Sequence, residues 1–108
     1  MNIKGTNISM VRGDSETLTV TCSEPFAAGD AVTLTVREDV ESPVVFQKTV
    51  TAFGPEGEAV IDFDHGDTED LDFGSYVYDI QLTRADGTVT TLVKVSRFTL
   101  EEEVTYGG

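Results

Sequence analysis

The chain has 108 residues and a mass of 11.7 kDa, which is the usual size of one domain, and no linker-like segment divides it, so a single domain over residues 1–108 is predicted. Its 20 acidic and 7 basic residues give a formal net charge of −13, which argues against nucleic acid or membrane partners because both are anionic. The single cysteine excludes an intrachain disulfide, and the N-terminus lacks the apolar run of a signal peptide, so synthesis in a reducing cytoplasm is expected.

Apolar and polar residues alternate with a period of two along most of the chain, which is typical of half-buried β-strands. Threonine recurs on the polar side of this alternation, because it favours extended backbone and keeps the solvent face polar. Turn residues separate the runs at intervals of about ten residues. In chain order, the predicted strands cover residues 7–12, 16–23, 31–38, 44–53, 58–64, 75–84 and 88–104, and no helix longer than one turn is expected.

The predicted strand at 44–53 is apolar on both of its faces. Val44, Phe46 and Val50 fall on one parity, and Val45 and Phe53 fall on the other. Such a strand is either an edge covered by a loop or a contact with a second subunit, and we favour the contact. Val45 and Phe53 are therefore candidate interface residues.

The last predicted strand interrupts its own alternation. The valines at 89, 93 and 95 share one face, whereas Phe98 and Leu100 fall on the other. An extra residue at 96–97 would form a β-bulge and return Phe98 and Leu100 to the core. The alternative is that Leu92 and Phe98 are exposed and form a subunit contact. The bulge is favoured, and Leu92 and Phe98 remain candidate interface residues.

The segment before the sixth predicted strand resembles a corner of immunoglobulin-like domains. These domains often carry Asp-x-Gly-x-Tyr-x-Cys there, and Asp72, Gly74 and Tyr76 have matching offsets, with Tyr78 in the cysteine position. The resemblance implies an all-β, immunoglobulin-like sandwich of about seven antiparallel strands without a disulfide, in which the Tyr76 hydroxyl bonds to backbone. It also places Cys22 near Tyr78 across the sandwich, as a buried and unreactive apolar residue. The chain has no tryptophan to pack there, unlike antibody-type domains.

Two motifs suggest ligand binding but have simpler interpretations. The tripeptide at 12–14, Arg-Gly-Asp, occurs in adhesion ligands, yet it stands where a turn between two strands is needed, so a turn is favoured. The acidic run from Asp62 to Asp72 fails the calcium-loop pattern, because Gly66 occupies the fifth position and Asp67 the sixth, where glycine belongs. Solvated carboxylates are favoured, and calcium near Asp67 is left open.

The residues of a catalytic triad are present by type only. His65 is the one histidine, and Ser75 and Asp79 could accompany it, but neither a nucleophile elbow nor a cleft is indicated around them. No enzyme activity, catalytic residue, metal or cofactor is therefore expected.

The spacing of turn and core residues over nearly the whole chain is similar to that of small phage and prophage proteins. The positions that carry the similarity are Met10 to Ser15, Ala28 to Arg37, Asp67 to Ile80, and Phe98 to Thr105. The pattern resembles the N-terminal immunoglobulin-like domain of phage baseplate upper proteins.

That resemblance implies a non-enzymatic virion protein of the tail, baseplate or neck, made in the bacterial host cytoplasm and assembled through contacts with other virion proteins or with itself. The alternative is a carbohydrate- or cell-surface-binding module, which would use exposed aromatics such as Phe53, Phe73 or Tyr106. The glycines that follow Tyr106 predict a frayed end over residues 105–108.

Overall fold

The computed structural model describes residues 1–102, apart from the side chain of Asn2. All seven predicted strands are present, together with one short strand that the alternation did not reveal. The predicted frayed end at 105–108 lies outside the described residues. The elements are β1 (Asn2–Lys4), β2 (Asn7–Val11), β3 (Glu16–Val20), β4 (Ala31–Arg37), β5 (Val44–Val50), β6 (Ala59–Phe63), α1 (His65–Thr68), β7 (Gly74–Thr83) and β8 (Val89–Glu101).

The strands form two sheets that pack face to face. The larger sheet has the order β1-β2-β8-β7-β4-β5, and the smaller sheet pairs β3 with β6. Every pair is antiparallel except β2 with β8, which run parallel. The predicted all-β, immunoglobulin-like sandwich without a disulfide is confirmed, with eight strands in place of about seven.

Alternating burial along the strands places the core between the sheets. On β4, Val32, Leu34 and Val36 are buried, and the residues between them are only partly covered. β6 repeats this alternation with every second residue buried. Each fully buried aliphatic or aromatic side chain stabilises the fold by about 1.5–3 kcal/mol relative to leaving it exposed. Aromatic contacts complete the core, and the rings of Phe63 and Phe98 lie 6.1 Å apart.

The last strand, β8, contains the predicted irregularity, but earlier than residues 96–97. Tyr78 pairs with Ser96 and Ile80 pairs with Val93, so two steps on β7 match three steps on β8. A second register shift follows between Ile80 and Gln81. β8 therefore has one extra residue at each of two successive places. Each extra residue exchanges the positions along β8 whose side chains face inward with those that face outward.

These shifts decide which side chains of β8 reach the core. Phe98 and Leu100 are 0% and 1% exposed. The prediction of Phe98 as an interface residue is therefore wrong, because the bulged strand turns its ring inward. Leu92 is half-buried against the core. Val89 and Val95, whose face the bulge argument took as the core side, are 58% and 55% exposed.

The two-sided hydrophobicity of β5 has an explanation within the chain. β5 is an edge strand of the larger sheet. Val36 of β4 pairs with Phe46 and the next residue, Arg37, pairs with Val44, so Val45 is an extra residue that forms a β-bulge. Val45 and Phe53 are half-buried and pack against the core. The ring of Phe53 lies 5.4 Å from the ring of Phe26. A subunit contact at Val45 and Phe53 stays a prediction.

The sandwich is closed along one side and open along the other. On the closed side β5 lies beside β6, and Nζ of Lys48 is 2.8 Å from Oδ2 of Asp67 on α1. On the open side the second edge of β3 pairs with no strand among residues 1–102, and the β1–β2 hairpin stands across from it. The space between that hairpin and β3 is called the open groove below.

Candidate functional site

The open groove has a volume of about 220 Å³ and an apolar lining. Ile3 on β1 and Leu18 on β3 line its two walls, and Ile8, Ile80 and Val93 contribute from the larger sheet. Ile3 is 51% exposed, so part of its apolar side chain is left uncovered at the groove. The groove exists because the smaller sheet has only two strands and leaves part of the larger sheet uncovered.

Two polar contacts hold the walls of the open groove in place. The hydroxyl of Tyr78 donates to the carbonyl oxygen of Thr6 and so fixes the turn of the β1–β2 hairpin to β7. Burial raises the pKa of this Tyr78 hydroxyl further above neutral pH. The amino group of Met1 lies 2.5 Å from Oε2 of Glu16, which anchors β1 beside the start of β3.

A second apolar surface lies on the outer face of the larger sheet. Val40, Val77 and Val95 surround a hollow of about 120 Å³ together with Thr35 and Arg37. Val40 and Val95 are 64% and 55% exposed, and Val77 is half-buried. This surface is called the valine patch below. None of the four predicted interface residues lines it.

The sequence did contain a signal for the valine patch. Val77 stands between Tyr76 and Tyr78, so it occupies the polar side of its own alternation, where an exposed threonine or charged residue would be ordinary. Val95 falls on the outer face because of the bulges in β8, which no alternation reveals.

The predicted corner at Tyr76 is present. Its hydroxyl donates to the carbonyl oxygen of Asp72 at 2.6 Å, which fixes the turn that leads into β7. Burial raises the pKa of the Tyr76 hydroxyl, and the negative charge of Asp72 adds to the shift. Tyr76 is 7% exposed, so the corner belongs to the core and supports the fold.

The predicted contact between Cys22 and Tyr78 is wrong. β3 ends at Val20, and Cys22 is half-buried in the following loop, where it lines a wide, shallow hollow with Leu82 and Arg84. Tyr78 is four residues before Leu82 on β7, about 13 Å away at the usual strand rise. Tyr78 instead packs against Phe98, with ring centroids 6.2 Å apart. The strand ends too early to carry Cys22 into the sandwich.

A buried ion pair that no sequence pattern indicates joins two loops beside Cys22. Oδ2 of Asp30 lies 2.8 Å from Nη1 of Arg84, and it also accepts a 2.9 Å hydrogen bond from the backbone N–H of Ala27. The N–H of Ala85 donates to Oδ1 of Asp30 at 3.0 Å. The bond from Ala27 is the main reason that the pKa of Asp30 lies below its usual range, and the neighbouring Arg84 adds to the effect.

Arg84 makes further contacts besides its ion pair with Asp30. Its Nη2 donates to the carbonyl oxygen of Glu24 at 3.0 Å, and its guanidinium carbon lies 5.9 Å from the centre of the Phe26 ring. The hydrogen bond to Asp30 is the main reason that the pKa of Arg84 is raised. The hollow beside it has a volume of about 630 Å³, and the charges of Asp30 and Arg84 in its lining already pair with each other, which indicates that the pair supports the fold.

The acidic run is partly used inside the fold. Oδ2 of Asp67 accepts a 2.7 Å hydrogen bond from the backbone N–H of Asp64 and also contacts Lys48. Among residues 1–102, no three histidine, cysteine, aspartate or glutamate side chains come together as a metal site would need. Calcium near Asp67 stays untested.

The Arg-Gly-Asp tripeptide at 12–14 is built into the fold. The guanidinium carbon of Arg12 lies 5.1 Å from the centre of the Phe73 ring, and its Nη1 donates to the carbonyl oxygen of Leu71. The N–H of Gly13 donates to Oγ1 of Thr68 at 2.8 Å, and Gly13 has a φ of +85°, which favours glycine. Asp14 is exposed. The arginine is thus held against the protein, as the favoured turn interpretation requires.

The three residues of the hypothetical triad have separate neighbours. Nδ1 of His65 lies 2.9 Å from Oε2 of Glu69 on the surface. Ser75 and Asp79 are four residues apart on β7, about 13 Å at the usual strand rise, which is too far for one imidazole to contact both.

The described residues contain no helix long and apolar enough to cross a membrane.

The comparisons with known proteins establish the fold class only. No protein-family model matches the chain, and no match is found among curated proteins. Among solved structures, CopC from Methylosinus trichosporium OB3b is similar, with a TM-score of 0.56 over 93% of this chain and 89% of that chain. The two sequences are 14% identical, and at that level the likeness shows a shared β-sandwich fold and nothing about function.

Proposed function

We propose that the protein is a non-enzymatic assembly component that acts through protein–protein contacts, in a phage or prophage virion as its sequence resemblance implies. The observation that supports this proposal is the valine patch, where Val40 and Val95 are more than half exposed and Val77 lies beside them. Single apolar residues on a surface are ordinary, whereas a contiguous apolar group with a polar rim is typical of a contact surface.

The charge of the chain favours a different protein as the partner. Two copies with a net charge of −13 repel each other, whereas a partner with a basic rim is attracted. At the edge of the patch, Asp79 favours a basic group on that partner, whereas Arg37 already donates to the carbonyl oxygen of Ser42 at 2.6 Å. Self-association is the alternative, and a native mass spectrum at high micromolar concentration distinguishes the two by the mass of the particle.

Mass spectrometry of virions purified from the bacterium that encodes the chain tests this proposal. We expect the protein in the purified particles, and we expect Val95→Asp to reduce its incorporation because a carboxylate would be buried in an apolar contact. Val89→Asp is the matched control, since Val89 lies on the same strand, is 58% exposed and does not line the patch. Absence of the protein from the particles would contradict the proposal.

One observation favours the second candidate, a carbohydrate-binding module. Phe73 is 48% exposed beside a hollow of about 300 Å³ that is also lined by Glu38, Asp72 and Ser75. An aromatic ring with nearby carboxylates and a hydroxyl suits a sugar, although Arg12 already stacks on that ring. Selective binding on a glycan array that is lost in Phe73→Ala and kept in Val89→Ala would replace the assembly proposal.

Of the other predicted aromatics, Phe53 is half-buried against Phe26 and offers little free surface. Tyr106 lies outside the described residues.

A further inference from the structure

We propose that the open groove binds an extended segment of another protein, which pairs as an additional strand with the free edge of β3. The segment would carry apolar residues at alternate positions and lysine or arginine at its ends. The open groove and the valine patch are separate sites. The groove differs from the patch in the kind of partner that it binds, because main-chain pairing requires a partner segment with an extended backbone.

The first argument comes from the free edge itself. β3 pairs with β6 over all five of its residues, Glu16–Val20, without a register shift, so its other edge is straight as well. Along that edge the described residues supply no strand partner. A regular edge presents a row of main-chain donors and acceptors that an extended peptide can pair with.

The second argument is that both edges of the larger sheet are protected and the edge of β3 is not, while the other edge of the smaller sheet, on β6, lies beside β5. Natural sheets protect their edges with bulges, lysines or very short strands. The edge strand β5 has a bulge at Val45 and carries Lys48, and β1 has only three residues and ends at Lys4. β3 has no bulge, no proline and no lysine.

The third argument is the apolar lining next to this edge. Side chains of an added strand would point alternately outward and into the groove, where Leu18, Ile80 and Val93 form the lining. Ile3 on the opposite wall is 51% exposed and would be covered by the same side chains. Covering apolar surface contributes about 25 cal/mol per Å² to the free energy of binding, so the groove should bind apolar side chains more tightly than polar ones.

The charge of the chain decides between a second copy and another protein. The region where β3 begins carries Asp14, Glu16 and, on the neighbouring strand, the exposed Asp62. A second copy would bring the same acidic residues and a further net charge of −13 to this place. A segment with basic ends is attracted instead, and for that reason the proposal commits to a partner other than the chain itself.

The experiment uses the full chain and a fluorescent peptide of sequence Lys-Val-Thr-Val-Thr-Val-Lys with blocked ends. Fluorescence anisotropy measures binding, and hydrogen exchange with mass spectrometry locates it. We expect the peptide to bind and to slow the exchange of amides in residues 16–20. A peptide of the same sequence that is N-methylated at alternate residues should not bind, because it keeps the side chains and loses donors for pairing.

Paired variants place the site on the groove. Ile3→Lys and Thr19→Lys should each lower the affinity about tenfold, because they replace groove-lining side chains with a charge that repels the basic peptide. Val89→Lys is the control, since it adds the same charge at a residue of similar exposure outside the groove. Ile3, Thr19 and Val89 are exposed, and unchanged circular dichroism spectra verify that the variants are folded.

Four results would overturn the proposal. These are no binding of the peptide, equal binding of the N-methylated peptide, a dimer of the chain that Ile3→Lys dissociates, or tighter peptide binding after deletion of residues 103–108. The third result would identify a second copy as the occupant, and the fourth would identify the chain's own end. Failure here is distinguishable from failure of the assembly proposal, because Val95→Asp should leave peptide binding unchanged and virion incorporation is measured independently.

Discussion

The Tyr76 hydroxyl makes a single hydrogen bond that can be removed with little change in shape. It donates to the carbonyl oxygen of Asp72, and the ring around it is buried. Tyr76→Phe should lower the free energy of unfolding by about 1 kcal/mol, since it removes one partly buried hydrogen bond. Urea denaturation followed by circular dichroism measures the change.

Thr91→Ser is a suitable control for Tyr76→Phe, because Thr91 is exposed on β8 and the substitution removes one methyl group. It should change the stability by less than about 0.5 kcal/mol. Equal stability of Tyr76→Phe and the unmodified protein would show that the corner bond contributes nothing.

Asp30 makes the stability depend on pH in a defined direction. Its folded-state pKa is lowered, so its charged form stabilises the fold; this contribution is fully present above the ordinary aspartate pKa of about 3.9 and is lost as the pH falls through the lower folded-state pKa. Asp30→Asn should therefore lower the urea midpoint at neutral pH. The difference from the unmodified protein should shrink below about pH 4.

Asp86→Asn is the matched control for this measurement. The pKa of Asp86 is lowered as well, mainly by the backbone N–H of Thr88, but Asp86 lies exposed in a turn and forms no ion pair within residues 1–102 like that of Asp30 with Arg84. Its replacement should cost less at neutral pH. A midpoint difference for Asp30→Asn that is the same at pH 3 and pH 7 would rule out the proposed role of its charge.

The bulges of β8 make opposite predictions for two residues of that strand. Phe98 is 0% exposed, so Phe98→Ala should cost about 3–5 kcal/mol. Val95 is 55% exposed, so Val95→Ala should stay within about 0.5 kcal/mol. Urea denaturation checks both, and Phe98→Leu supplies a milder core variant if Phe98→Ala does not fold. A larger cost at Val95 than at Phe98 would contradict the register.

Most strands could be predicted from sequence because each buries one face, and period-two alternation reports that burial directly. β1 was missed because three residues, Asn2–Lys4, are too few to show an alternation. The parity break in β8 indicated a bulge, but its position depends on how β8 pairs with β7, and pairing across a sheet is not visible along one strand. Cys22 was misplaced for a related reason, since alternation continued past the point where pairing with β6 ends at Val20.

The candidate sites were less predictable than the strands because they join residues that are distant in sequence. The groove contact between Tyr78 and Thr6 spans 72 residues, and the pair of Arg84 with Asp30 spans 54. The open groove itself follows from the division into six and two strands, which depends on the topology of the whole chain. Only the Tyr76 corner could be predicted residue by residue, since its bond closes within four residues.

At the scale of the whole molecule, the net charge of −13 should oppose folding by self-repulsion. The folded molecule measures 44 × 31 × 23 Å, so at about 10 mM salt, where the Debye length is about 30 Å, charges on opposite sides still interact. At about 0.1 M the Debye length falls to about 10 Å, and only near neighbours do. Raising NaCl from about 10 mM to about 0.1 M should therefore raise the melting temperature, by about 5 °C for each kcal/mol of repulsion that is screened.

A charge variant separates this repulsion from other effects of salt. Asp70→Lys replaces one negative charge with one positive charge at an exposed position and changes the net charge from −13 to −11. The variant should melt at a higher temperature than the unmodified protein at low salt, and the gap should narrow at about 0.1 M NaCl because screening weakens the repulsion in both proteins. Differential scanning calorimetry at the two salt concentrations measures both quantities. An unchanged gap would mean that local contacts of residue 70, and not the summed charge of the molecule, set the difference.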